Sequence, residues 1–212
     1  KAINMQVVDA GFRVVATDSH RLSKIDIPQK LNLPELNIPA KAIERVLETF
    51  DEDAKIELNP MNNYVQLKTD EAEVYILLLD GNYPDVNKLI DIKEGSTVIE
   101  LAVKELKDAV DRALPFARDA KGKDSLFTLE ILEGSIRIFS NAEDGSMESE
   151  VPATITSGSY TGKITLNAKY VKDALSCFNE TVKIHVSGAM MPVYLLGDNA
   201  NLIQLILPVR TM

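Results

Sequence analysis

The feature that most limits the folds open to this 212-residue chain is an internal repeat. Residues 38–58, IPAKAIERVLETFDEDAKIEL, lie over residues 166–186, LNAKYVKDALSCFNETVKIHV. Identities fall at Ala40/Ala168, Lys41/Lys169, Leu47/Leu175, Phe50/Phe178, Glu52/Glu180, Lys55/Lys183 and Ile56/Ile184. A third copy opens at LAVKELKDAV, where Leu101, Lys104, Lys107, Asp108 and Ala109 fall on Leu166, Lys169, Lys172, Asp173 and Ala174. The copies start at 38, 101 and 166, so they are 63 and 65 residues apart. A period of that length means one supersecondary unit used several times, each burying its apolar face against a neighbour.

Each copy has the same order of parts. A short strand leads into a helix whose Ile43, Val46, Leu47 and Phe50 recur at the spacing of one apolar stripe, predicting that all four are buried. Alternating strands follow: AKIEL, YVQLKT and EVYILLL, then LFTLEIL, SIRIFSN and MESEVPATI, then VKIHV, PVYLLG and LIQLILPV. The turn signals NPMNN, EGS, EDGS and GDNAN separate them. One helix for every three or four antiparallel strands predicts an α+β fold with helices on one face of the sheets. Residues 1–34 hold only the tail of a unit, and four units of about 64 residues need about 30 more ahead of Lys1. The expectation is a chain that starts inside a domain of a longer protein.

Composition narrows the chemistry. No apolar run reaches the roughly 20 residues of a membrane span, VYILLL being among the longer ones. The single cysteine, Cys177, lies in an apolar-periodic stretch and predicts a buried thiol in a reduced, cytoplasmic setting. One cysteine and two distant histidines leave no zinc spacing, and no glycine-rich loop marks a nucleotide site, so neither metal nor cofactor is expected. A net charge of −9 argues against gripping nucleic acid by bulk electrostatics. Locally the sign changes: between Lys104 and Lys123, Lys104, Lys107, Arg112, Arg118, Lys121 and Lys123 face Glu105, Asp108, Asp111 and Asp119, a net of +2.

Asp18, Ser19, His20 and Arg21 sit side by side in VATDSHRLS and raise the question of a hydrolase. A nucleophile, its base and the orienting acid must converge, whereas neighbours on an extended strand alternate faces, which sends Ser19 and His20 apart. No G-x-S-x-G elbow is present. The other histidine, His185, lies in the alternating TVKIHV and reads as a surface or edge position. Asp18 reads as a turn or capping residue. No catalytic residue and no enzyme are expected; a hydrolase would need turnover that disappears in His20→Ala.

Three motifs in order, ATDSHRL at 16–22, DGNYPDVNKLI at 80–90 and LILPVRTM at 205–212, carry a family resemblance. With the repeat beneath them, the chain resembles the bacterial β sliding clamps, the processivity subunits of replicative DNA polymerases. The likeness covers the whole chain and implies that residues 1–94 correspond to most of the middle domain, and residues 95–212 to all of the third domain, of a three-domain clamp. It implies a non-enzymatic ring that encircles double-stranded DNA and holds polymerase, clamp loader and repair proteins by short linear peptides.

The implied peptide pocket lies between the two domains. It draws on Thr17, Ser19, His20, Arg21 and Leu22, on Pro84, Lys88 and Leu89, and on Asn167 and Tyr170. Met190 and Pro192 follow, then Leu205, Ile206, Leu207, Pro208, Val209 and Arg210. Ser19 departs from a glycine found in some members, and Lys88 from an arginine. The helices would face the duplex with Lys41, Arg45, Lys104, Lys107, Lys169 and Lys172, touching phosphates without reading bases. Leu114 and Phe116 would belong to the head-to-tail contact that closes a homodimeric ring in the full-length protein, leaving this chain a monomer or weak dimer. A peptide-binding module of the same shape outside the replisome is the alternative, separable by peptide-motif specificity.

Overall fold

The computed structural model describes residues 1–51, 53–92, 94–117, 125–198 and 201–210. Glu52 of the repeat, and Arg118, Asp119, Lys121 and Lys123 of the basic stretch, lie outside the described residues. The chain forms two compact units, Lys1–Val86 and Asn87–Met212.

In the first unit, β1 (Ala2–Val8), β2 (Gly11–Thr17), β3 (Arg21–Ile27) and β4 (Leu36–Pro39) form an antiparallel run ordered β3-β2-β1-β4. Helix α1 (Ala40–Thr49) leads from β4 towards a second sheet of β5 (Glu57–Met61), β6 (Tyr64–Lys68) and β7 (Glu73–Leu77), in that order. Alternation in LNIP, YVQLK and EVYIL turns Leu36, Ile38, Val65, Leu67 and Ile76 inward, where Val46 of α1 joins them. The β1–β2 hairpin depends on Gly11: its φ is +152°, and a Cβ there would lie 2.1 Å from the Ile27 carbonyl oxygen.

Two expectations change here. The strand expected at AKIEL begins instead at Glu57 and runs through Pro60 to Met61, leaving Asn62 and Asn63 as the turn. Proline is tolerated because β5 is the outer strand of its sheet, where one side of the backbone owes no ladder bond. Leu47, expected in the buried stripe of α1, is 73% exposed, while Ile43 and Phe50 are only partly buried. Leu47 and Val46 lie at opposite edges of that stripe, and the narrow core beneath α1 takes the Val46 side, where Ala42 also packs.

The second unit opens with the short α2 (Asn87–Ile90), followed by β8 (Thr97–Ala102), α3 (Val103–Ala113) and a 3-10 turn at Leu114–Phe116. Strands β9 (Leu126–Leu132), β10 (Ser135–Ala142), β11 (Gly145–Pro152), β12 (Thr154–Ser157) and β13 (Gly162–Asn167) lead to α4 (Ala168–Leu175). Three more strands, β14 (Thr181–Val186), β15 (Val193–Leu196) and β16 (Leu202–Ile206), complete it. Strand order is β12-β8-β14-β15-β16 in one antiparallel run and β11-β10-β9-β13 in another. Both helices bury one stripe between these runs, Val103, Leu106, Ala109, Val110 and Ala113 from α3 and Ala168, Val171, Ala174 and Leu175 from α4.

Here too the structure corrects the sequence. Cys177 is exposed, not buried, because α4 ends at Leu175 and Phe178, 8% exposed, takes the core position of the next turn. His185 is not on an edge: β14 pairs with β8 on one side and β15 on the other. Its ring is half-buried with Nδ1 3.2 Å from Ser96 Oγ, and burial, then the Lys183 charge, holds its pKa below the usual histidine value. No helix among the described residues is long and apolar enough to cross a membrane.

Candidate functional site

The ATDSHRL segment folds as the tight turn joining β2 to β3, so Ser19 and His20 occupy a turn and not the extended strand expected of them. Asp18 Oδ1 accepts from the backbone N–H groups of His20 and Arg21, both at 3.2 Å, and Oδ2 accepts from Arg21 Nε at 3.0 Å. Thr17 Oγ1 donates to the Arg21 carbonyl at 2.8 Å. Partial burial pushes the Asp18 carboxyl up, but the Arg21 side chain and the two amides outweigh it and hold the pKa below the usual carboxylate range. Both oxygens therefore bind the turn, and Oδ2 also lies 3.8 Å from Lys1 Nζ. Ser19 carries φ +74°, a left-handed conformation that a glycine would adopt more easily.

A second loop, residues 78–86, is tied to the same unit by side chains that the sequence motifs did not single out. Leu79 N–H donates to the Asn37 carbonyl at 2.8 Å, and Asn37 Nδ2 donates to the Gly81 carbonyl at 2.8 Å. Asn4, 1% exposed, donates to Asn37 Oδ1 at 2.9 Å and to Glu35 Oε1 at 2.7 Å. Tyr83 donates to the Val15 carbonyl at 3.4 Å, which holds exposed Pro84 close to the strand that ends at Thr17. Deeper in this unit, Arg13 and buried Lys24 share Asp26, Arg13 Nε lying 2.7 Å from Oδ1.

In the second unit Lys88 and Leu89 are exposed on α2. Burial, and then the charge of Asp91 just beyond α2, raises the pKa of the Tyr194 hydroxyl on β15. Register pairs Tyr194 with Leu205 and Val193 with Ile206, bringing Pro192 and Leu207 to the same end of the β15–β16 pair. Leu89 (43% exposed), Met190 (49%) and Leu207 (36%) leave apolar area open. Val209 N–H donates to the Thr165 carbonyl at 2.9 Å, laying the tail with Pro208 and Arg210 along β13. Two residues on, Asn167 caps α4: its Oδ1 accepts from Lys169 N–H at 3.0 Å and Tyr170 N–H at 3.3 Å. Leu22 in the first unit, and Leu205 and Ile206 in the second, are buried at 2%, 2% and 1% exposure, so each leaves exposed contact area to the neighbours in its own unit.

The cationic candidates sit on helix surfaces. Lys41 and Arg45 are exposed on α1, Lys104 on α3 and Lys169 on α4, while Lys107 is half-buried. Lys172 is engaged: its Nζ lies 2.7 Å from Asp111 Oδ1 across the α3–α4 contact. Leu114 and Phe116 are both half-buried within their own unit, Leu114 against its core and Phe116 over Gly145, where a Cβ would come within 2.9 Å of the ring. Among the described residues no cluster of histidine, cysteine and carboxylate is placed to hold a metal ion.

Two α+β units built from one repeated module, each with helices packed on antiparallel sheets, have the architecture of a DNA sliding clamp. The crystal structure of the DNA polymerase sliding clamp from Pseudomonas aeruginosa superposes with a TM-score of 0.90 at 20% identity, covering 99% of this chain and 58% of that one, a likeness of fold. The clamp from Bacillus subtilis matches with a TM-score of 0.89 at 30% identity, covering 100% of this chain and 57% of that one. Residues 1–85 match the family model for the central domain of the DNA polymerase III beta subunit, and residues 92–210 the model for its C-terminal domain. In sequence, the beta sliding clamp of Bacillus subtilis (strain 168) is 31% identical over 217 residues, 99% of this chain and 56% of that protein. The chain belongs to the DNA polymerase III beta subunit family, and it spans little more than half the length of the curated relatives it matches.

Proposed function

We propose that this chain is the peptide-binding and part of the DNA-facing portion of a processivity factor, a non-enzymatic clamp that encircles duplex DNA without sequence specificity in the cytoplasm. Residues 1–94 serve as its middle domain and residues 95–212 as its C-terminal domain. Polymerase, clamp loader and repair proteins dock by short peptides, through Thr17, Ser19, His20, Arg21, Leu22 and Pro84 of one unit. The other unit contributes Lys88, Leu89, Asn167, Tyr170, Met190, Pro192 and residues 205–210. Lys41, Arg45, Lys104, Lys107, Lys169 and Lys172 face phosphates, and Leu114 and Phe116 take part in closing a homodimeric ring in the full-length protein.

The observation that carries this reading is the match of both domain families, in order, across the chain. The open apolar area at Leu89, Met190 and Leu207 suits aliphatic and aromatic anchors, and burying two anchors is worth roughly 3–6 kcal/mol before the peptide is ordered. By itself that gives a Kd of roughly millimolar to tens of micromolar, so the expected binding at about micromolar Kd also draws on hydrogen bonds from His20, Arg21, Asn167 and Arg210. Fluorescence anisotropy of a labelled Gln-Leu-x-Leu-Phe peptide against this chain, and against a version lacking Pro208–Met212, is the test. Saturable binding lost on truncation supports the reading; equal binding by both proteins removes the tail from it, and no binding by either refutes the peptide role.

A further inference from the structure

Of the six cations assigned to the DNA-facing helices, Lys172 stands in an ion pair that bridges two helices. Its Nζ meets Asp111 Oδ1 at 2.7 Å, although both side chains keep about two-fifths of their surface exposed, 44% and 41%. The oxygen itself is shielded: Asp111 Oδ1 has almost no solvent contact and sits off any hydrogen-bond axis among the described residues, so Lys172 is the charge that balances it. An ordinary rim pair has both partners wetted and is worth little. This one covers a carboxylate oxygen, so withdrawing Lys172 leaves that oxygen without compensation.

The surroundings sharpen the consequence. Lys104 and Lys107 occupy the first turns of α3, and one face of that helix then runs into Asp108 and Asp111. Lys169 opens α4 and is exposed, with Lys172 one turn further on. The aligned position in α1 to Lys172 is Glu44, and to Asp111 it is Glu48, so that helix has no equivalent pair.

We propose that Asp111 is an electrostatic attenuator: it competes with DNA phosphate for Lys172 and so limits how tightly the α3–α4 surface grips the duplex. The inference rests on the DNA-facing reading above and adds how that surface is regulated. A phosphate must displace Asp111 to gain Lys172, whereas Lys104 and Lys169 can be engaged directly. A clamp that slides gains from such a limit, because each fully engaged cation adds salt-sensitive affinity that must be released before the protein moves.

The test is binding of the 212-residue chain to a fluorescein-labelled duplex at several salt concentrations, with Asp111→Asn, Lys172→Gln, the double variant, Lys104→Gln and Lys169→Gln, each shown by its thermal transition to be folded at the assay temperature. Asp111→Asn is expected to tighten binding about threefold and steepen the log affinity against log salt slope by about 0.9, the signature of one added phosphate contact. Lys172→Gln is expected to weaken binding less than Lys104→Gln in the wild-type background and as much as Lys104→Gln once residue 111 is asparagine. An equal gain from Asp111→Asn with and without Lys172 would mean a general loss of negative field, and overturns the competition. Weakening by Lys104→Gln and Lys169→Gln with no effect of Asp111→Asn overturns the attenuator and leaves the DNA-facing reading standing. If no lysine change alters binding, or no variant binds even at low salt, the DNA-facing reading fails and this inference with it.

Discussion

Helices α1 and α4 carry aligned sequences and meet different fates. Leu175 of α4 has no exposed surface, while Leu47, its counterpart in α1, is 73% exposed. The strands after them differ likewise: β14 lies between β8 and β15, whereas β5 is the outer strand of its sheet. In the second unit α3 packs beside α4 and β8 beside β14, completing what the repeat prepares. Amphipathic spacing states which face of a helix can be buried, and whether it is buried depends on a neighbour elsewhere in the chain.

The largest expected effect breaks or upholds this contrast directly. Leu175→Ala is expected to destabilise the second unit by about 3 kcal/mol, since it removes buried methyl groups and opens a cavity. Leu47→Ala is expected to change stability by less than about 0.5 kcal/mol. Denaturant unfolding of both variants measures this, and a comparable loss at Leu47 would mean that α1 has a partner in solution.

Next in size is the charge cluster of the first unit. Asp26 is pushed up by burial, but hydrogen bonds from Arg13 and Lys24 outweigh that and lower its pKa. Asp26→Asn is expected to cost about 2 kcal/mol near neutral pH, because it removes a carboxylate charge from beside Lys24, which is 5% exposed; the value is kept modest since Asp26 is partly exposed.

The two units should also differ in pH response. A carboxylate whose folded pKa lies below its unfolded value of 3.8 stabilises the fold above that value, and the contribution fades as pH falls through the folded pKa. Asp18 and Asp26 therefore weaken the first unit only below about pH 4. His185, lowered from 6.5, favours the neutral ring in the fold; its contribution is present above pH 6.5 and is lost as pH falls through the lower folded value. Unit-resolved hydrogen exchange across this range tests the order, and His185→Asn should abolish the higher-pH step.

Smaller effects concern single turns. Asn167→Ala is expected to cost about 1 kcal/mol as the α4 cap is lost, with Asn167→Asp retaining most of it; Pro39, before α1, provides no side-chain cap to lose. Ser19→Gly is expected to stabilise the β2–β3 turn by up to about 1 kcal/mol, relief of the left-handed strain being partly offset by a freer unfolded chain. Thermal unfolding reads both, and a destabilised Ser19→Gly would show that the serine side chain anchors the turn.

Much of this was legible before any coordinates. The repeat announces α+β modules, alternation marks most of the strands, and Asp18 is recognisable as a turn residue. Three positions were misread for one reason. Leu47, Cys177 and His185 each fit a local period, but burial depends on what stands across the gap: nothing deep enough for Leu47, Phe178 in place of Cys177, and a strand on both sides of His185. Pro60 was taken for a turn because its tolerance in a strand depends on that strand lying at an edge.

The amino-acid pattern alone determined the module, its repetition and the family, because periodicity and short motifs are properties of neighbours along the chain. Tertiary structure decided that Asn4 and Asn37 hold the 78–86 loop, that the tail runs along β13, and that Asp111 occupies Lys172. Those contacts join residues 33, 44 and 61 positions or so apart, and side-chain hydrogen bonds and ion pairs act only over a few ångströms, so folding alone brings them into range.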